Sequence, residues 1–335
     1  MTQTIGIIGA GGWGIALATL LAEKGEQVTL WCHGEQTYRD LQEKRESRTY
    51  LPGIVVPPPV QITRSLAQTV SHKGFIIYVV PSHAVRGVML QARPHASPKA
   101  RIICGTKGLE EESLKTMGEV MAETFGEREK VLHAFLSGPT FALEVARHLP
   151  AAMTVAAYSE DVAKEIQNVI STQTLRVYTS QDVVGVQMGG VIKNVIAIAS
   201  GISDGLRLGQ NARAALITRG LAEMTRLAVR MGADPLTLAG LPGVGDLILT
   251  CTGGLSRNRQ VGIQIAEGRS VDEITHGTRM VAEGIRNTRS VWLLARRLEV
   301  EMPIVEQMYR VIYERKRPSE AVRDLMQRSL KSEKV

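Results

Sequence analysis

The side chain most out of keeping with its surroundings is a lysine. Val183 to Ser200 is almost wholly apolar or small, and Lys193 stands in the middle of it. Such a run predicts a buried helix. An ammonium inside it is unfavourable unless its charge is paired or its pKa falls, and a lysine tuned in that way can give and take a proton. At helical spacing its neighbours are Gly189, Gly190 and Ala197, all small, which leaves room beside the amine for a ligand. The alternative is a structural lysine that snorkels to the surface or pairs with a buried acid. The run also approaches the ~18–20 residues that span a membrane. Its three glycines, the central Lys-Asn pair and the lack of a second such span argue against insertion.

A second constellation opens the chain. The apolar stretch Thr4 to Ile8 runs into Gly9-Ala10-Gly11-Gly12-Trp13-Gly14, then into a helical pattern from Ile15 to Lys24, and Gln27 to Trp31 reads as the next strand. Strand, G-x-G-x-x-G, helix and strand within about 30 residues form a dinucleotide-binding unit. Gly9 allows the tight turn, Gly11 lets the backbone approach a pyrophosphate, and Gly14 lets the helix pack on the strand, while the helix N-terminus favours the anion. A ribose-binding acid is usual at the end of the second strand. Here that position reads Trp31-Cys32-His33-Gly34, and Glu35 is the nearest acid. His33 and Arg39 are placed to meet a 2′-phosphate, or are ordinary surface residues. The pattern leans towards NADP and leaves NAD open.

Two further sites carry charge next to glycine. Lys107 follows the strand Arg101 to Cys104 within Gly105-Thr106-Lys107-Gly108, at the strand end where open α/β sheets bind ligands; an exposed loop lysine is the plainer reading. Later, Gly240 to Thr250 places Asp246 after a glycine-rich turn. Gly253 and Gly254 then precede Ser256, a good N-cap, with Arg257 and Asn258 on the first helical turn. Glycines, a helix N-terminus, Arg and Asn make a phosphate cradle, or simply a glycine-capped turn.

The elements that position these groups change character near residue 180. Up to there strands alternate with helices: Phe75 to Val80, Arg101 to Cys104, Val131 to Leu136, Ala151 to Ala157 and Leu175 to Tyr178 are strands, and Leu51 to Pro59 reads as a loop. The alternation predicts a doubly wound, mostly parallel Rossmann-like sheet. Beyond it the pattern is helical: 182–205, 211–232, 256–267, 271–276, 287–299, 303–315 and 318–328. A dinucleotide-binding domain at 1–180 and an all-helical substrate domain at 181–335 follow, with the Lys193 helix against the cofactor. The 335 residues are 44% hydrophobic and 22% charged, ordinary for a globular protein with an ample core. A net charge of +7 suits an anionic ligand, and with aromatics at 4% there is little to stack on nucleic-acid bases. Cys32, Cys104 and Cys251 form no metal or disulfide pattern, so no metal is expected and the compartment is a reducing cytosol.

Taken together the residues resemble a known family. Gly190-Val-Ile-Lys193-Asn194 through Ser203-Asp204-Gly205 to Gly209-Gln-Asn211 is similar to the signature of the NAD(P)-dependent glycerol-3-phosphate dehydrogenases of bacterial type. Gly9 to Gly14, Val80-Pro81-Ser82, Gly105 to Gly108, Ser137 to Ala142, Gly243 to Leu247 and Ser256 to Arg259 agree in order. Val191 departs from it, where the family has a smaller residue. The resemblance implies a cytoplasmic, commonly dimeric enzyme. It reduces dihydroxyacetone phosphate reversibly to sn-glycerol 3-phosphate with NADPH or NADH, for phospholipid synthesis. By matched position it implies Lys193 as catalytic acid/base. It implies Lys107, Gly138, Thr140, Asp246, Ser256, Arg257 and Asn258 at the substrate, and Gly12, Trp13, His33, Lys107, Ala142, Arg257, Val281 and Glu283 at the cofactor. Two other functions compete: a two-domain dehydrogenase of a 3-hydroxy acid or sugar-phosphate acid, and a non-catalytic NAD(P)-binding regulator.

Overall fold

The computed structural model describes residues 2–276, 283–330 and 332–333. They fall into two compact units. One holds the residues up to Thr106 together with Met117–Val183; the other holds Lys107–Thr116 together with the chain from Val184 onward.

The first unit is built on ten strands: β1 (Thr4–Ile8), β2 (Gln27–Trp31), β3 (Glu46–Ser47), β4 (Leu51–Val55), β5 (Gln61–Thr63), β6 (Phe75–Tyr78), β7 (Arg101–Cys104), β8 (His133–Ser137), β9 (Ala151–Ala157) and β10 (Leu175–Ser180). Eight form one sheet in the order β10-β9-β8-β7-β6-β1-β2-β5. Every neighbouring pair is parallel except β8–β9, so β9 and β10 run against the rest. The central strands β1, β6 and β7 are Ile-rich and almost wholly buried, as strands covered on both faces must be. Helices α1 (Gly12–Glu23), α2 (Glu35–Lys44), α3 (Leu66–Val70), α4 (Val85–Ala92), α5 (Met117–Phe125), α6 (Ala142–Ala146) and α7 (Glu160–Ile170) complete the unit. The expected doubly wound, mostly parallel sheet is present. The order reverses between β1 and β6, the switch point at whose carboxyl edge such sheets bind ligands.

Leu51 to Pro59 is not wholly a loop: β4 pairs antiparallel with β3. Pro52 and Gly53 obscure the strand pattern, but Leu51 and Ile54 are buried in the core, and a short peripheral strand tolerates proline. The strand expected from Val131 begins only at His133, after a 3-10 turn over Arg128–Leu132.

The second unit is helical: α8 (Val183–Gly205), α9 (Gly209–Arg230), α10 (Pro235–Ala239), α11 (Asp246–Thr252), α12 (Arg257–Ala266), α13 (Val271–His276), α14 (Glu283–Arg297), α15 (Pro303–Tyr313) and α16 (Pro318–Met326). Helix α8 is its axis, with the most apolar stretch 89% buried within the protein. Its backbone touches α12 directly. A Cβ on Gly201 would lie 2.0 Å from the Arg259 carbonyl oxygen, and one on Gly262 would lie 2.0 Å from that of Ile198, so both positions require glycine. The Gly240–Thr250 stretch, expected as a loop, is instead a π-helical turn at Leu241–Gly245 leading into α11. Glycines and a proline suggested a loop, yet a helix that packs its backbone closely needs the same small residues. Helix α14 begins at Glu283, four residues earlier than expected. Glu223 of α9, 2% exposed, accepts hydrogen bonds from the amides of Ile304 (2.7 Å) and Val305 (3.2 Å). It thereby caps α15, whose Pro303 start supplies no side-chain cap of its own.

Candidate active site

In the helical unit three side chains converge. Asp246, 1% exposed, accepts from the Lys107 ammonium at 2.7 Å and, at its other oxygen, from the Lys193 ammonium. Backbone packing sets this up. A Cβ on Gly189 would lie 2.2 Å from the Pro242 carbonyl oxygen, so glycine is what lets the π-helical turn rest on α8. Four residues beyond Gly189 stands Lys193, and four beyond Pro242 stands Asp246, so this single approach puts acid against amine. The space expected beside Gly189 for a ligand is therefore filled by the protein's own backbone. The buried-acid pairing weighed for Lys193 is what occurs.

The Lys193 amine is still not fully engaged. Lys193 as a whole residue is 6% exposed, and its ammonium has three donors when charged. One goes to Asp246 and one to the Thr250 hydroxyl at 3.0 Å, and the Thr250 hydroxyl itself donates to the Asp246 carbonyl oxygen at 2.6 Å. A third N–H has no acceptor among the described residues. Thr250 went unnoticed in the sequence; its signal was the spacing of four from Asp246 on one helix.

Burial pushes the Lys193 pKa down to about 7; the Asp246 carboxylate opposes that shift and the Lys107 charge adds to it. For Asp246, burial alone would raise the carboxyl, but the Lys107 and Lys193 ammoniums and their hydrogen bonds outweigh it and hold the group below its ordinary value. One carboxylate facing two ammoniums leaves positive charge in excess, which suits an anionic ligand and a developing oxyanion.

Beside α8 lies the start of α12. The Ser256 hydroxyl accepts from the Arg259 amide at 3.3 Å as N-cap. Its own proton has no acceptor among the described residues. Arg257 is exposed on the first turn. Asn258 differs from expectation, because its side chain is already engaged: it donates to the Asn194 side chain at 2.9 Å and accepts from the Gly284 amide at 3.0 Å. What Asn258 retains for a ligand is its backbone N–H on the first turn of a ten-residue helix. Glu283 is half-buried at the head of α14. Val281 lies outside the described residues.

The first unit holds the remaining expected residues. Gly9 has φ 123°, a left-handed region that favours glycine. A Cβ on Gly14 would stand 1.8 Å from the Gly9 carbonyl oxygen, so α1 packs tightly on the loop, whereas Gly11 faces open space. The N-cap of α1 is Gly11, with no side chain over the first turn. Its amides are therefore left for an anion, and the loop fits a dinucleotide pyrophosphate. Gly12 lies against Ala142, and Trp13 against Gly105. Thr140 donates to the Gly138 carbonyl oxygen at 3.2 Å, on the loop after β8. At the end of β2, His33 is exposed, its ring 5.6 Å from that of Trp31. Arg39 is not spare: it pairs with Glu35 at 2.9 Å, as does Arg64, which the sequence reading missed because β5 lay unrecognised.

The chain is similar to known proteins along its whole length. Two family models match it: the NAD-dependent glycerol-3-phosphate dehydrogenase N-terminus over residues 4–163 and the C-terminus over residues 182–323. The chain is 51% identical, over its full length and all of the relative's, to a Citrifermentans bemidjiense protein named glycerol-3-phosphate dehydrogenase (NAD(P)+). A Geobacter sulfurreducens protein of the same name is 47% identical, again over both whole chains. The crystal structure of glycerol-3-phosphate dehydrogenase from Coxiella burnetii matches with a TM-score of 0.93 and 40% identity, over 98% of this chain and 99% of that one.

Proposed function

The chain belongs to the NAD-dependent glycerol-3-phosphate dehydrogenase family, and from that premise we propose how its residues divide the work. The reaction is the reversible, NAD(P)H-dependent reduction of dihydroxyacetone phosphate to sn-glycerol 3-phosphate, the glycerol unit of phospholipids. The observation that carries the assignment of roles is the buried Lys193 amine with one N–H left over.

The Gly9 to Gly14 loop, with Trp13, His33, Ala142, Val281 and Glu283, holds the dinucleotide. When bound, its nicotinamide supplies the hydride that attacks C2 of the ketone. Negative charge then grows on the C2 oxygen. Lys193 gives that oxygen its proton, and in the reverse direction the neutral amine takes the proton back. A group titrating near 7 exists in both forms at neutral pH, as a reversible step requires. Asp246 and Thr250 hold the amine in place, and Lys107 adds a second positive charge close to the oxyanion. The first turn of α12, with Ser256, Arg257 and the Asn258 amide, holds the phosphate, together with Gly138 and Thr140. Binding energy from the phosphate, remote from C2, then orients the reacting carbon.

The cofactor is NADPH or NADH. We propose that NADPH is accepted at least as well, because Glu35 is neutralised by Arg39 and Arg64 and His33 stands free of acid at the strand end. We further propose a dinucleotide-binding domain at 1–180, less the Lys107–Thr116 segment that packs with the helices, and a substrate domain at 181–335, in a homodimer working in the cytoplasm. The family resemblance supports the dimer, and three cysteines without a pairing pattern support the reducing compartment. Oxidation of NADPH and of NADH, each with dihydroxyacetone phosphate and with unphosphorylated dihydroxyacetone, tests the whole reading. Turnover is expected with the phosphate ester and either cofactor, and very little with the free ketone. Equal kcat/KM for the two ketones would sink it.

A further inference from the structure

Lys107 reaches Asp246 by an unusual route. It follows β7, yet the segment Lys107–Thr116 packs with the helical unit rather than with the sheet. The segment closes on itself through an antiparallel bridge between Leu109 and Thr116, and Leu109 is buried in the core of the helical unit. Helix α14 clamps it at three points. Arg286 pairs with Glu111 at 2.8 Å, Arg297 donates to the Ser113 carbonyl oxygen at 3.4 Å, and Asn287 donates to the Lys107 carbonyl oxygen at 3.4 Å. The first two are partly exposed and contribute little on their own. Asn287 is different: it is 1% exposed, and its amide nitrogen also donates to the Val191 carbonyl oxygen at 3.4 Å.

We propose that Asn287 is a positioning residue for the reaction: one buried amide ties the backbone of Lys107 to α8 two residues before Lys193, and so fixes the two ammoniums about their shared carboxylate. This rests on the acid/base reading of Lys193 given above. The physical reason is the reach of lysine. Its four-carbon stem has many rotamers, so the place of the Lys107 charge depends on how firmly its backbone is held. The buried amide has no water to turn to, so its two bonds, to the Lys107 carbonyl and to the Val191 carbonyl within α8, tie loop and helix together.

The consequence is electrostatic. The titratable groups that act on Lys193 are Asp246 and Lys107; the neighbouring Cys251 thiol is pushed up to about 12 by burial and stays neutral. The Lys107 charge lowers the Lys193 pKa, and it also competes for Asp246. Once Lys107 is free to drift, Lys193 loses a repulsion and gains a larger share of the carboxylate. Both effects raise its pKa. The pH at which activity breaks therefore moves to the alkaline side, on the order of 0.5–1 unit for a like charge partly withdrawn.

The test is the pH dependence of kcat/KM for dihydroxyacetone phosphate reduction in wild type, Asn287→Ala and Asn287→Leu. The leucine variant keeps the volume, so the comparison survives if the alanine variant does not fold. Each is made again in a Lys107→Met background. Expected are an alkaline shift in both single variants, a shift of the same sign in Lys107→Met alone, and no further shift in the double variants. A lower melting temperature with an unmoved break would make Asn287 merely structural and overturn the inference. An undiminished Asn287 shift in the Lys107→Met background would overturn it too. A wild-type profile with no break, or a break that survives in Lys193→Met, would instead overturn the acid/base reading, and this inference with it.

Discussion

Asp246→Asn removes one charge and almost no volume, so its effects are electrostatic. Asp246 is 1% exposed and holds both Lys107 and Lys193. Lys193 sits near 7 even though this carboxylate raises it. In the variant, burial and the Lys107 charge act unopposed, and the amine's pKa falls further. An opposite charge at contact distance is worth about 1–3 units. Above both pKa values the protonated amine is scarcer by that factor, so kcat/KM for reduction at pH 8 should fall by ~10–10³. Below both values the acid is fully charged in either protein, and the loss should shrink. The overall equilibrium is unchanged, so with unaltered cofactor affinity the oxidation direction must lose the same factor at each pH. Steady-state kinetics in both directions from pH 5.5 to 9 read this out. A loss that is uniform across pH, or greatest at acid pH, would refute the reasoning. The fold should also weaken, since stripping one partner from a buried ion pair costs about 3–5 kcal/mol. Release of the Lys193 proton relieves part of that penalty.

Three other outcomes follow from the same structure. Gly189→Ala drives a methyl into the Pro242 carbonyl oxygen, 2.2 Å away; it should cost about 1–3 kcal/mol of stability and lower kcat by displacing Asp246, and full activity in a folded variant would mean that the close approach does not set the pair. Arg257→Ala should raise the KM for dihydroxyacetone phosphate steeply and lower kcat, with Arg257→Lys recovering part; equal factors for the phosphorylated and free ketone would show that Arg257 holds the cofactor or the fold instead. Glu223 is raised by burial from 4.5 to about 7, so the folded state keeps its proton where the unfolded chain has lost it. Its stabilising contribution is full below 4.5 and is lost as pH rises through about 7. Glu223→Gln cannot ionise, so its thermal stability relative to wild type should improve between pH 5 and 8, on the order of 1–3 kcal/mol; a difference constant with pH would contradict the assignment.

Much of this was legible in the residues because the signals were local. The glycine loop between β1 and α1, the Ile-rich strands and the apolar run around Lys193 each declare themselves within one element. What escaped depends on contacts between distant positions. Glycines at 240, 243 and 245 suggested a loop because glycine marks turns, but Gly243 serves a close approach to Leu238 within a helical stretch, and Gly189 serves one to Pro242. Asn258 suggested a ligand contact because it opens a helix, and nothing local reveals that Asn194 and Gly284 engage its side chain. The packing of Lys107–Thr116 with the helical unit was likewise invisible, since it rests on buried Leu109 and on partners about 175 residues away in α14.

The central claim is that Lys193 moves the proton. It is tested most directly by the pH dependence of kcat/KM for reduction and oxidation in wild type and Lys193→Met. In wild type, reduction should be level at acid pH and fall above a break near 7, while oxidation rises to its own break and levels off. Lys193→Met should bind the cofactor nearly as well, lose kcat by ~10²–10⁴ and show no such break. A variant that kept more than about a tenth of wild-type kcat, or that kept the break, would show that another group carries the proton.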